Sequence, residues 1–271
     1  MADGFRVITG GLPPHEAERL AAMVTGRSRA CLASEPNLTP DEADRLRTLV
    51  LRRMSGEPLQ YLEGDVVFGP VTLRVDRRAL IPRPETEQLF EEVTQRLRRD
   101  APAVVVDLGT GCGALALALR SAFPKADVHG TDIDAAALAL AAENAAATGL
   151  NVHWARGDLF EALPGALRGS VDLLISNPPY VAVAAALPQD VLEHEPAVAL
   201  FGGRDGLDAL RRIADGAAEW LAPEGVVACE IGAEQGAAVR RLFARYGAEI
   251  GVDLAGRDRW MIGRSPASLR A

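Results

Sequence analysis

Among 271 residues there are only three cysteines and four histidines, and none stands at a spacing that builds a disulfide framework or a zinc site. Cys31, Cys112 and Cys229 lie far apart and read as reduced thiols. His15, His129, His153 and His194 lack partner spacing, so no metal is expected. There is no run of 18 apolar residues, and no membrane segment is expected. The opening Met-Ala-Asp-Gly-Phe-Arg lacks the basic start, apolar stretch and small-residue cleavage site of a secretory signal, which predicts a cytoplasmic protein. Positive charge is in deficit as well: a net charge of -8 disfavours a broad footprint for nucleic acid, so protein partners are expected before DNA. What is present is 48% hydrophobic and 24% charged, an ordinary soluble composition, and enough chain for one large α/β domain and a small one.

Read in order, residues 14–56 carry helical spacing, with Gly26 as a stop signal. Thr39-Pro40-Asp41-Glu42 reads as a capping box with proline at the first helical position, opening a helix that ends near Gly56. Arg45, Arg47, Arg52 and Arg53 form either a partner-binding face or a solvated helix surface. Two short β-branched runs around Gly69-Pro70 predict a hairpin. The expected organisation is a helical domain over residues 1–62, a β-hairpin linker over 63–78 and a catalytic domain over 79–271. Before the first helix of that domain, Leu80-Ile-Pro-Arg-Pro-Glu-Thr-Glu87 holds Arg83 between two prolines in an extended loop. Arg83, Pro84 and Glu85 are candidates for substrate contact, the alternative for Arg83 being a pair with Glu85 or Glu87.

From residue 103 strands alternate with helices, the pattern of a doubly wound, mostly parallel sheet. A buried strand over 104–108 runs into Gly109-Thr110-Gly111-Cys112-Gly113, where glycines let backbone N–H groups approach a ligand at a helix N-terminus. A second strand from Asp127 ends at Asp132, placed to accept the two hydroxyls of a ribose. A third, over 151–156, is followed by Asp158 and Leu159. A fourth, the apolar run over 171–175, stops at Asn177-Pro178-Pro179-Tyr180. The prolines lack N–H donors and stiffen the exit, leaving carbonyls free to grip an NH2 group. The glycine loop by itself also fits the relaxed dinucleotide fingerprint, and NAD stays open on that evidence. Asp107, Gly113 and the order of the strand-end features tilt the reading toward S-adenosylmethionine. Later elements are a helix over 207–220, a strand over 225–232, a helix over 234–246 and a closing antiparallel pair over 250–254 and 259–263. Glu193, Glu195 and Glu230 read mainly as surface or structural carboxylates.

These residues resemble the bacterial peptide chain release factor N5-glutamine methyltransferases, the PrmC or HemK family. The resemblance is carried by Gly56-Glu-Pro-Leu-Gln-Tyr-Leu, Leu80-Ile-Pro-Arg-Pro-Glu-Thr-Glu, Asp107-Leu-Gly-Thr-Gly-Cys-Gly, Ser176-Asn-Pro-Pro-Tyr, Glu195-Pro, Gly202-Gly-Arg-Asp-Gly-Leu-Asp and Asp253-Leu-Ala-Gly-Arg-Asp-Arg. It implies a seven-stranded class I S-adenosylmethionine-dependent fold with a helical N-terminal domain that docks the substrate. It implies as partner a class 1 release factor, methylated on the glutamine of its Gly-Gly-Gln motif, with S-adenosylhomocysteine as product. A monomer without stable nucleic acid is expected. The implied cofactor contacts are Asp107, Gly109, Thr110, Gly111, Cys112, Gly113, Asp132, Asp158, Leu159 and Asn177. Asn177, Pro178, Pro179 and Tyr180 would carry catalysis, with Asn177, Pro178 and Tyr180 also touching substrate. Cys112 stands where the family usually has serine or threonine, and the opening helix before residue 14 is short or missing. The rival readings are a nucleic-acid amino methyltransferase, whose flipped base offers the same NH2 geometry, a cofactor-sensing protein without turnover, and an NAD-dependent oxidoreductase.

Overall fold

The computed structural model describes residues 8–34, 37–253 and 255–267. The start of the expected opening helix and the end of the strand expected over 250–254 lie partly outside them. The chain forms two compact units, one made of residues up to Asp65 together with Leu187–His194, the other of Val66–Ala186 and the remainder from Glu195. The first unit thus includes a segment that the sequence reading assigns to the catalytic domain.

In the first unit α1 (Pro14–Thr25) ends at Gly26, which takes the left-handed conformation at φ 67° and closes the helix by donating to the Ala22 carbonyl. After α2 (Arg29–Ser34) comes α3 (Pro40–Met54), whose capping box forms: the Thr39 hydroxyl accepts from the Glu42 N–H, and the Glu42 carboxylate accepts from the Thr39 N–H. A short α4 (Leu59–Glu63), too brief to show a period in sequence, completes the cluster formed by Leu20, Ala21, Leu46, Val50, Leu59 and Leu62. Of the arginines on α3, Arg52 pairs with Glu57 at 2.6 Å and Arg53 with Glu16 at 2.8 Å, which ties these two into the unit itself. The segment recovered from residue 187 onward forms α8 (Gln189–His194).

The second unit opens at Val66, within the hairpin of β1 (Asp65–Phe68) and β2 (Val71–Arg74). It is more than a linker, since Phe68, Val71 and Leu73 are buried in the same core as Leu89 and Phe90 of α5 (Pro84–Arg96). Then follow β3 (Val104–Leu108), α6 (Ala114–Ala122), β4 (Asp127–Asp132), α7 (Ala135–Thr148), β5 (His153–Arg156), β6 (Val171–Ser176), α9 (Asp208–Trp220), β7 (Leu221–Glu230), α10 (Gly236–Leu242), β8 (Glu249–Val252) and β9 (Asp258–Arg264). The sheet order is β5-β4-β3-β6-β7-β9-β8, parallel up to β7, with β9 antiparallel to both β7 and β8. Successive residues alternate between two cores: Val105, Leu173 and Ile175 face α6 and α7, while Val106, Leu108 and Leu174 face α9 and α10. A sheet covered on both faces needs such continuous apolar strands, which is why they were readable. The helix expected over 234–246 is shorter, because after Leu242 the chain tightens into a 3-10 turn, Ala244–Tyr246, closed by left-handed Gly247. Among the described residues no helix is long and apolar enough to cross a membrane.

Candidate active site

Parallel registry brings the carboxyl ends of the central strands side by side: Leu108 pairs with both Thr131 and Ser176, and Asp132 with Arg156. The loops that leave these ends surround a cavity of about 380 Å³, at the carboxyl end of the sheet where open α/β folds hold their ligands. Asp107, Gly109, Thr110, Gly111, Cys112, Asp132, Asp158, Leu159, Asn177 and Pro179 line it, so most of the residues singled out by sequence converge. Gly113 does not line it. At φ 86° it starts α6, and a Cβ there would press on Trp154, Leu117 and Ala141 at 3.1 to 3.3 Å, so its smallness serves packing. Arg83, Pro84, Glu85, Pro178 and Tyr180 are also outside the lining, whereas Pro82 and Thr86 belong to it.

The acids are held in distinct ways. Asp107 is fully buried, and its Oδ2 accepts from the Thr110 hydroxyl at 2.6 Å and the Ala116 N–H at 3.2 Å. Its Oδ1 is buried without a hydrogen-bond partner among the described residues. Burial pushes this carboxyl up to about 7. Asp132 accepts the Gly111 N–H at 2.8 Å and the Asp134 N–H at 2.9 Å, which orients its carboxylate, while burial raises its pKa. Asp158 is more open and is gripped by Arg212, whose Nη1 lies 2.9 Å from both carboxylate oxygens. Leu159 follows at φ 53°, an unusual left-handed conformation for a branched residue, with its carbonyl accepting from the Thr131 hydroxyl. Cys112 is buried and its thiol is pushed up to about 12, while its carbonyl accepts from Asn144 at 2.9 Å, so its backbone rather than a reactive sulfur shapes the loop.

This donor set discriminates between ligands. Three carboxylates and a glycine loop suit a ligand with an ammonium, a ribose diol and an aromatic amine; the orphaned Asp107 Oδ1 in particular wants a donor. A dinucleotide pyrophosphate seated on the same glycine loop would meet the buried carboxyl of Asp107 instead. The arginines of the lining do not offset this, since Arg78 is committed to Asp76 and Glu143, and Arg212 to Asp158. Among the described residues no group of three or more His, Cys, Asp or Glu is arranged to hold a metal ion.

Around Asn177 the structure adds residues that sequence reasoning did not select. The Asn177 Nδ2 donates to the Thr86 hydroxyl at 3.0 Å, Thr86 donates to Glu230 Oε2 at 2.5 Å, and the Tyr180 hydroxyl donates to Glu230 Oε1 at 2.9 Å. Tyr180, expected to touch substrate, thus has its hydroxyl tied to a buried carboxylate. Among the described residues no protein donor reaches Asn177 Oδ1 or the Pro178 carbonyl. The exit from the motif is clamped by Gly202, whose N–H donates to the Val181 carbonyl, and by Gln235, whose Nε2 donates to the Tyr180 carbonyl at 3.0 Å. Arg83 pairs with neither Glu85 nor Glu87. It pairs with Glu195, whose other oxygen accepts the Ile81 N–H at 3.2 Å. Glu195 and Glu230, read as mainly surface or structural, are both buried. A charged residue closing the apolar run Val226-Val227-Ala228-Cys229 was the one signal that pointed at Glu230.

The sheet order and the cavity with its acids define a class I S-adenosylmethionine-dependent methyltransferase. Residues 86–197 match the family described as "Methyltransferase small domain", and residues 8–64 match the "PrmC N-terminal domain". The release factor glutamine methyltransferase of Deinococcus radiodurans is 39% identical over 96% of this chain and 94% of its own, and that of Moorella thermoacetica 42% over 94% and 93%. The chain belongs to the release factor glutamine methyltransferase family. Among solved structures, a Thermus thermophilus 16S rRNA N2 G1207 methyltransferase superposes with a TM-score of 0.54 at 21% identity, covering 74% of this chain and 49% of that one. At that identity it speaks for the fold.

Proposed function

We propose that this enzyme methylates N5 of the glutamine in the Gly-Gly-Gln motif of class 1 release factors, in the cytoplasm, with Asn177 and Pro178 gripping the side-chain amide. The observation that carries this reading is the pair of acceptors at the end of β6, Asn177 Oδ1 and the Pro178 carbonyl, which no donor among the described residues uses. An amide NH2 has two hydrogens to give, and two acceptors can take both and aim the nitrogen. Bound S-adenosylmethionine supplies a methyl group on a positively charged sulfur, to which the bonding electron pair returns on transfer. Asp107, Asp132, Asp158 and the backbone of residues 109–112 would hold it.

The amide nitrogen is a weak nucleophile because its lone pair is shared with the carbonyl. Two acceptors lend it electron density and stabilise the positive charge that develops as the C–N bond forms. No strong base is needed, since the nitrogen becomes acidic as it is alkylated and gives its extra proton to solvent. Arg83 acts through Glu195, holding the loop that leads into Thr86, rather than by touching the glutamine. The helical N-terminal unit docks the release factor.

The test is Asn177→Ala with purified release factor and labelled cofactor, alongside a release factor lacking the Gly-Gly-Gln glutamine. Transfer should fall on the order of a hundredfold or more, far more than any loss of cofactor affinity, and the altered release factor should take no label. Labelling of nucleic acid in place of release factor would overturn the substrate.

A further inference from the structure

Glu230 is 1% exposed, at the end of β7, and has no part in the chemistry assigned above. Each of its carboxylate oxygens accepts one hydroxyl, from Thr86 at 2.5 Å and Tyr180 at 2.9 Å. Thr86 is the third residue of α5 and is itself buried. A threonine hydroxyl owns one hydrogen. With that hydrogen spent on a carboxylate, which has none to return, Thr86 Oγ1 can only accept from its other neighbour. That neighbour is the Asn177 amide at 3.0 Å, which must therefore turn its NH2 toward Thr86. The two ends of an asparagine amide have nearly the same shape, so packing alone does not choose between them; polarity does. A reversed amide would set an NH2 against the NH2 of the substrate.

We propose that Thr86 and Glu230 are positioning residues that fix the direction of the Asn177 side-chain amide, keeping its oxygen for the substrate nitrogen. The proposal rests on the assignment of Asn177 as amide acceptor. The relay has one direction only while Glu230 is ionised. Protonated, Glu230 can donate to Thr86, and the threonine hydrogen is then free to turn to the asparagine oxygen. Burial pushes Glu230 up to about 7, so both forms are accessible around neutrality. The titratable and charged groups that bear on it are Tyr180, Glu85 and Arg259, the last held by Asp253 at 3.0 Å.

Methyl transfer to a purified release factor, with cofactor affinity measured separately by calorimetry, tests this on Thr86→Val, Thr86→Ser, Glu230→Gln and Asn177→Ala. Thr86→Val should lower kcat by roughly tenfold to a hundredfold, with cofactor affinity changed far less. Thr86→Ser, which keeps the hydroxyl, should recover most of it. Glu230→Gln, whose own NH2 can donate back to Thr86, should behave like Thr86→Val, and the acid-side fall of wild-type kcat below about pH 7 should vanish with it. A wild-type kcat in Thr86→Val beside an inactive Asn177→Ala overturns the inference and spares the assignment of Asn177. An active Asn177→Ala overturns that assignment and the inference with it. Equal losses of cofactor affinity and kcat in Thr86→Val and Thr86→Ser would mark a merely structural role, which also overturns the inference.

Discussion

Asp107 and Glu230 are carboxyls kept from water, both pushed up to about 7 by burial, against an ordinary value of roughly 4 in an unfolded chain. The native state therefore binds more protons than the unfolded state between about pH 4 and 7, and stability falls as pH rises through that window. Whatever Asp107→Asn loses through Thr110 and Ala116, it should gain relative to wild type, on the order of 3 kcal/mol, between pH 4 and pH 8. Urea unfolding of both proteins without cofactor at the two pH values reads this; a pH-independent difference would mean that Asp107 titrates normally. Asn177 was legible from sequence because it ends a recognisable apolar run, and Asp132 because it closes the second strand after the glycine loop, where a ribose carboxylate is expected. The partner of Asn177 was not, since Thr86 and Glu230 stand 144 positions apart and meet only through the sheet topology. Arg83 was noticed for its proline frame, but its distant partner Glu195 could not be paired with it from spacing.

At the scale of elements, the segment 202–206 lies so close to the motif that side chains have no room. A Cβ on Gly202 would come 2.2 Å from the Pro179 carbonyl oxygen, and one on Gly206, at φ 76°, 2.2 Å from that of Tyr180. Gly202→Ala should push the Pro178-Pro179 exit out of line and lower kcat by more than tenfold, a displacement of the order of 1 Å being enough. Methyl-transfer kinetics check this; unchanged kcat would show that the loop yields instead. In the first unit, Thr39→Ala removes a side-chain cap and should cost about 1 kcal/mol of stability, read by thermal or urea unfolding, with no effect on cofactor affinity. Long elements with caps, α1 and α3, could be delimited in sequence because glycine, proline and threonine stop or start them for steric and hydrogen-bonding reasons. The six-residue α8 and five-residue α4 could not, since so few residues define no period.

For the whole molecule, all residues lining the cofactor cavity belong to the second unit. Saturating S-adenosylmethionine at about a hundred times its Kd should therefore stabilise that unit by roughly 3 kcal/mol. Hydrogen exchange should show the protection in β3, β4 and β6, with the amides of α1 and α3 unchanged; equal slowing in those helices would contradict this. The two-part composition was legible from the shift between helical spacing and strand–helix alternation, but the return of Leu187–His194 to the first unit was not, because it is a matter of tertiary packing. That return has a consequence for synthesis. A chain emerging from its amino end has all of the first 65 residues in hand long before their last helical segment exists. At ordinary elongation rates the gap is on the order of ten seconds, through which the early helices must wait, incomplete, while most of the parallel sheet is being made.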